Sequence, residues 1–590
     1  MKNADKKTAP LKFISDRLFS LDTAFCRLYD NSLFSHLASK VRHGFLTLYT
    51  RVIGVFFFTF GIYAFLIAML TNLFSDAVAH SSSLYGGAAL AVASIPLLFS
   101  KGNVSTVLTD SNFGAVICEY LDIRQETLTT HSFSGHLNIA FILGVAAGGA
   151  TVIFPLSSIV SAMVLVTVFC IIMARPEAGI TFMTVLIFVS DMGLLYTVLG
   201  VTAISYAFKL IRRKRKLCLK RTDTILAIFA VSVFFGVFIT EGEAVSLSSL
   251  KYFLLLFAYF LTVSLMRDRK KLLRVLYTAI MAAGILGSLY ILARAFASLL
   301  PAGIFARPDL LYGYVLSLPI FSGGLAPLAF AALIPVCTSF IIKARSDGYR
   351  FTSCLCLIAM VGYLILSGEL AYALAAAVAT ALFLFVTGSR GVYLTISALL
   401  AGSVVLAFSG SFGDRLYRYV FSRLSDAFNQ ARDLSYISQN AFSAEYAVCG
   451  HGFSGFADQG SNSYFTLISQ LGITGFVILC FFVALILAQA ASLIIKTYRS
   501  SECEEAMNRF SSLGSPAEAR ACALSVSCSV IVCMICATFF NFFSNPTAYL
   551  LFFMLCGFCA AYARSAKSEI SSAAGSLACH QSEDRCQTRL

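Results

Sequence analysis

A chain of 590 residues that is 58% hydrophobic and only 13% charged, with a mean hydropathy of +0.81, does not belong to the soluble multidomain class that its length alone suggests. Its formal net charge of +14 does not indicate a nucleic-acid partner, because the basic residues gather mostly in short clusters between apolar runs, as the positive-inside rule requires. The apolar runs repeat at roughly 20-residue lengths, about what a helix rising 1.5 Å per residue needs to cross a bilayer, and they lack the short alternating strands of a β-barrel.

The expected fold is all-α: a polytopic transmembrane helical bundle of about 12 to 16 spans with one large extracytoplasmic loop. The lipid bilayer is the first partner this implies. Residues 1–51 carry Lys2, Lys6, Lys7, Lys12, Arg17, Arg27, Lys40, Arg42 and Arg51 among apolar residues, the pattern of a basic amphipathic segment on the cytoplasmic surface. No short apolar core precedes a small-residue cleavage site there, so no cleavable signal peptide is expected.

Residues 52–211 are read as N-terminal transmembrane helices, with spans near 52–74, 83–100, 137–154 and 157–174. The run 178–211 is long enough for two short helices broken at Ser190-Asp191-Met192-Gly193. His131 and His136 precede the third span, and with no cysteine or further histidine joining them they read as ordinary loop histidines.

The central helices, 212–409, are oriented by three basic clusters: RRKRKLCLKR at 212–221, RDRKKLLR at 267–274, and Lys343 to Arg350. Each is expected in the cytoplasm, with an even number of crossings between them. A helix at 275–296 then rises outward with Arg294 near its outer end, where a cation either snorkels to the headgroups or serves a polar cavity. The loop Pro301 to Leu311 holds Arg307 outside, and a span over 312–342 returns. Helices near 351–367 and 371–387 bracket Gly368-Glu369 outside. GSRG, Gly388 to Gly391, falls on the cytoplasmic side, where Arg390 is a positive-inside anchor, and the helix 392–409 delivers Gly410 outside.

The loop 410–463 is the expected functional element. If Asp414 to Arg432 is helical, Leu416, Val420, Leu424, Phe428 and Ala431 form one apolar stripe, while Arg415, Arg418 and Arg423 face the other way along the membrane surface. Such arginines meet a lipid phosphate or pyrophosphate, or simply the headgroups. GHGFSGF at 450–456 has turn-like glycine spacing, and His451 is either a turn residue or a proton acceptor near neutral pH. Spans near 464–493, 520–541 and 547–562 make up the C-terminal helices, 464–563, and the tail 564–590 is expected to be disordered and cytoplasmic. Cys170, Cys354, Cys356, Cys480, Cys528, Cys533 and Cys536 sit in apolar runs as small hydrophobes, and the Cys533 and Cys536 pair is not expected to be a redox site.

In their order and spacing, GSRG ahead of a helix, an external arginine loop with Gly450 to Phe456, and Asn462 followed by Gly472 to Gly475 resemble the O-antigen ligase and O-antigen polymerase family. The likeness covers roughly Arg294 to Gly475 and extends to RPDLLYGYV from Arg307, where the family usually has Asn in place of Asp309. It implies a GT-C-like integral membrane glycosyltransferase of the bacterial cytoplasmic membrane, acting in cell-surface polysaccharide synthesis. The donor would be an undecaprenyl-pyrophosphate-linked glycan and the acceptor a glycan or another lipid-linked unit, with no metal and no cofactor. On that likeness His451, Arg423 and Asn462 are candidate catalytic residues, and Arg294, Arg307, Arg415, Arg418 and Ser461 candidate substrate contacts. The family's ligases typically carry histidine at the position of Ser461, and a serine there does not accept a proton without a base of its own. Either His451 replaces it in space, or the enzyme is a polymerase in which arginines do most of the work. The alternatives are a lipid-linked oligosaccharide transporter or flippase, and a family member that binds glycan without catalysis.

Overall fold

A computed structural model describes residues 49–74, 81–100, 102, 103, 106, 137–189, 192–211, 220–239, 243–299, 315–316, 319–322, 324–343, 347–387, 422, 425, 450, 463–498, 516–539, 541, 543 and 545–565. These residues are almost entirely helical, and the β-structure among them is a single bridge between Tyr49 and Asn103. Seven helices among the described residues are long and apolar enough to cross a membrane, and seven shorter apolar helices accompany them.

The chain divides into two compact units, residues 1–178 with 204–216, and residues 179–203 with 217–590. In the first, α1 (Thr50–Phe74), α2 (Ser81–Phe99), α3 (Leu137–Gly149) and α4 (Leu156–Ala174) pack around Phe60, Ala64 and Leu156. The α1–α2 pair is antiparallel and close: a Cβ at Gly61 would lie 2.6 Å from the Ala91 backbone nitrogen, and one at Gly54 would lie 2.8 Å from the Leu97 carbonyl carbon. Small residues let apolar helices approach where lipid provides no hydrophobic drive to hold them together. Thr50 fastens the pair, its hydroxyl donating to the Gly102 carbonyl at 2.7 Å and lying 2.8 Å from Ser100 Oγ. α4 ends at Arg175, and Pro176 opens α5 (Pro176–Val189) at the position where a missing N–H does no harm.

The run 178–211 forms α5 and α6 (Met192–Ile211). The second unit contains most of both, with α7 (Arg221–Ile239), α8 (Glu243–Leu265), α9 (Arg269–Leu299), α10 (Ala326–Lys343), α11 (Asp347–Ser367), α12 (Leu370–Thr387), α13 (Ser463–Tyr498), α14 (Pro516–Phe539) and α15 (Pro546–Ser565). The expected span over 312–342 is narrower in the structure. A helical turn at Pro319–Ser322 ends where Leu325 N–H reaches the Ile320 carbonyl at 3.2 Å and Gly324 takes φ +66, and α10 starts only at Ala326. A positive φ is open to glycine without strain, so Gly324 separates the two segments.

α15 is the centre of this unit. Its span is 89% buried against 33% for α11, and Tyr549, Phe552, Phe553 and Tyr562 are fully enclosed. Phe553 stacks on Phe229 of α7 and lies near Phe482 of α13, with ring centroids 6.1 and 6.3 Å away.

Contacts sort the helix ends into two groups. At one end Tyr277 of α9 meets Thr352 of α11 at 2.6 Å, Cys337 of α10 meets the Ser353 carbonyl at 3.0 Å, and Ser525 of α14 meets Ser339 at 3.2 Å. The start of α7, the end of α8 and the end of α15 join through Asp223, Tyr259 and Arg564. At the other end Tyr464 of α13 donates to the Met534 carbonyl of α14 at 2.6 Å, and Thr547 of α15 lies 3.1 Å from the Met192 sulfur. Arg267 to Arg274 and Asp347 to Arg350 belong to the first end. Arg294 lies about 30 Å further along α9 than Arg274, by the helical rise, which matches the thickness of a hydrocarbon core.

Candidate functional site

The site is built at the Arg294 end of the second unit. Arg294 projects from the last turns of α9 and is exposed, and its Nη1 donates to the Leu366 carbonyl at the end of α11 and lies 3.4 Å from Tyr290 Oη. α11 ends there because Gly368 adopts φ +79, with Gly368 N–H on the Ile365 carbonyl at 3.2 Å and Glu369 N–H on the Leu364 carbonyl at 3.1 Å. Arg294 therefore supplies charge and a donor to the negative end of a helix. Below it Tyr290, Phe321, Phe330 and Tyr363 form an aromatic packing group, with Tyr363 centroids 4.7 Å from Tyr290 and 4.9 Å from Phe330. This group packs the Arg294 end of α9 against α10 and α11.

The second component is a break in α13. Gly472 has φ +70 and ψ 176 inside the helix, a conformation essentially confined to glycine, and it separates a first segment of about two turns from the long span that follows. Gly450 lies against this break in a left-handed conformation, φ +72, and is buried. A Cβ there would lie 2.5 Å from the Gln470 carbonyl carbon and 2.5 Å from the Gly472 nitrogen. Gly450 and Ser463, the described residues on either side of 451–462, thus both lie at the first segment of α13. In that turn Gln470 is 2% exposed, and neither its amide nitrogen nor its amide oxygen has a hydrogen-bond partner among the described residues.

Of the residues proposed from sequence, Arg294 is described. His451, Arg423, Asn462, Arg307, Arg415, Arg418 and Ser461 lie outside the described residues, as do Arg390, His131, His136, the amphipathic segment up to residue 48 and the tail from 566. Arg294, Gly450 and Ser463 fall at one end of the unit, opposite Arg267 to Arg274 and Asp347 to Arg350.

Sequence reasoning did not single out Gln470, and the signal was available: a carboxamide inside an apolar span two residues before a glycine pair is a polar group without local purpose. It also passed over Asp223, an acid in the first turn of an apolar helix, where such residues carry a partner by default. Compared with models of known families and with curated proteins, the chain shows no match.

Proposed function

We propose that this chain is a membrane-embedded glycosyltransferase of the O-antigen ligase or polymerase kind, with undecaprenyl-pyrophosphate-linked glycan as donor and a glycan or lipid-linked acceptor. The bilayer is the bacterial cytoplasmic membrane in this reading, with the basic end and both termini facing the cytoplasm. One observation carries it: Arg294 and both anchor points of the 451–462 segment share the end of the second unit that lies opposite the basic clusters. Motif order within 410–475 supports the same assignment.

The reaction needs few groups. The acceptor hydroxyl oxygen attacks the anomeric carbon, the bond from that carbon to the pyrophosphate oxygen breaks, and undecaprenyl pyrophosphate leaves with the electron pair. Negative charge grows on the leaving group, so guanidinium groups fixed beside it lower the barrier directly. Arg294, Arg307, Arg415, Arg418 and Arg423 fill that role in this scheme. His451 takes the acceptor proton, with Asn462 and Ser461 holding the acceptor or the imidazole. Purified protein in a bilayer, given a lipid-linked oligosaccharide and an acceptor, is expected to release undecaprenyl pyrophosphate.

The broken helix α13 favours one second reading, a lipid-linked oligosaccharide transporter, because discontinuous helices line substrate paths in many transporters. The same incubation separates them: a transporter moves the glycan across the bilayer and releases no undecaprenyl pyrophosphate.

A further inference from the structure

Among the described residues Gln470 is a buried carboxamide with neither end hydrogen-bonded. It sits in the span Thr466–Ser492, is 2% exposed, and both ends of its carboxamide are without partners among the described residues. A leucine would fill a similar volume without the desolvation penalty of an unpaired amide. The backbone beside it is also irregular, since Gly472 interrupts α13 two residues later. Within a membrane span, non-helical backbone persists where protein buries it or where it lines a polar cavity. These two observations are independent of each other, and both mark the same turn of the same helix.

We propose that the Gln470 carboxamide is a recognition group for a neutral hydrogen-bonding function of the substrate, a saccharide hydroxyl or acetamido group, and so a specificity-determining residue of the glycan site. This rests on the glycan-transfer reading above and extends it. The chemistry selects the ligand class. A carboxamide offers two N–H donors and a carbonyl acceptor and carries no charge, which complements a sugar's hydroxyls and does nothing to neutralise a pyrophosphate. Gly450 closes one side of the turn with backbone alone. Arg294 at the same end suits the charged part of such a donor, and Gln470 the uncharged part.

The test uses the full-length protein in nanodiscs without acceptor and two probes: undecaprenyl pyrophosphate bearing an N-acetylated disaccharide, and undecaprenyl pyrophosphate alone. Wild type is expected to bind the sugar-bearing lipid more tightly. Gln470→Leu is expected to weaken that binding about tenfold, the effect of one lost buried hydrogen bond, while leaving the sugar-free lipid and the ligand-free thermal midpoint unchanged or the midpoint raised. Gln470→Met serves as the second variant should the leucine form misfold. A lowered ligand-free midpoint with the sugar preference retained would make Gln470 a structural residue and overturn the inference alone. Equal binding of the two probes by wild type would overturn the inference together with the glycan-transfer reading.

Discussion

The Arg564 guanidinium, at the end of the last helix, donates to the Asp223 carboxylate in the first turn of α7. The same carboxylate accepts from Tyr259 Oη at 3.0 Å and, through its other oxygen, from the Lys220 backbone N–H at 2.8 Å. Asp223 thus caps α7 and ties three helices together, and at 2% exposed it is buried while Arg564, at 15%, is largely covered.

Removing one member of such a pair strands the other, so Asp223→Ala or Arg564→Ala should cost about 3–5 kcal/mol. Asp223→Asn, which still accepts from Tyr259, should cost less. Replacing both charges with apolar residues, as in Asp223→Leu with Arg564→Met, should recover most of the loss. Thermal midpoints of the four proteins in one detergent check this, and a double variant as unstable as the singles would refute it.

Arg294 has a structural duty and a proposed catalytic one, and they separate by magnitude. The Leu366 carbonyl loses one donor in Arg294→Ala, which should cost about 1 kcal/mol because Gly368 still completes the helix end. Release of undecaprenyl pyrophosphate should fall by far more than the folded fraction does. Arg294→Lys should keep the midpoint and lose most of the activity, since an ammonium cannot grip a pyrophosphate in a fork. Activity that simply tracks stability would leave Arg294 as a helix cap.

Two glycines hold the break in α13. Gly472→Ala forces a side chain into a conformation reserved for glycine and should destabilise by about 1–3 kcal/mol or straighten the helix. Gly450→Ala drives a methyl into the backbone of Gln470 and Gly472 and should be at least as damaging. Limited proteolysis within 451–462, faster in both variants than in wild type, checks that this contact anchors the segment.

Orientation is open to a direct measurement. In a background freed of its 18 cysteines, a single cysteine at Glu369 should react with an impermeant maleimide in intact spheroplasts, and one at Lys270 only after lysis. Labelling of both from one side would contradict the assignment of the two helix ends to opposite faces.

How much of this was legible beforehand follows from the kind of signal each feature leaves. Hydrophobic length alone reveals where helices lie, which is why the runs at 52–74, 351–367 and 371–387 coincide closely with α1, α11 and α12. Gly323-Gly324 inside the run 312–342 was a visible stop signal, yet total hydropathy outweighed it. For the candidate site, Arg294 was legible as a cation at the end of an apolar helix, but its bond to the Leu366 carbonyl, 72 residues away in sequence, was not.

The sequence by itself determined that this is a chain of apolar helices punctuated by basic clusters, because helix length and charge placement are local properties. The tertiary structure decided that α15 is central, that Asp223 belongs to Arg564, and that α13 breaks at Gly472 beside a buried Gln470. In water an amphipathic stripe announces which face is buried. In a membrane the lipid-facing and protein-facing sides are both apolar, so periodicity falls silent and packing makes the choice.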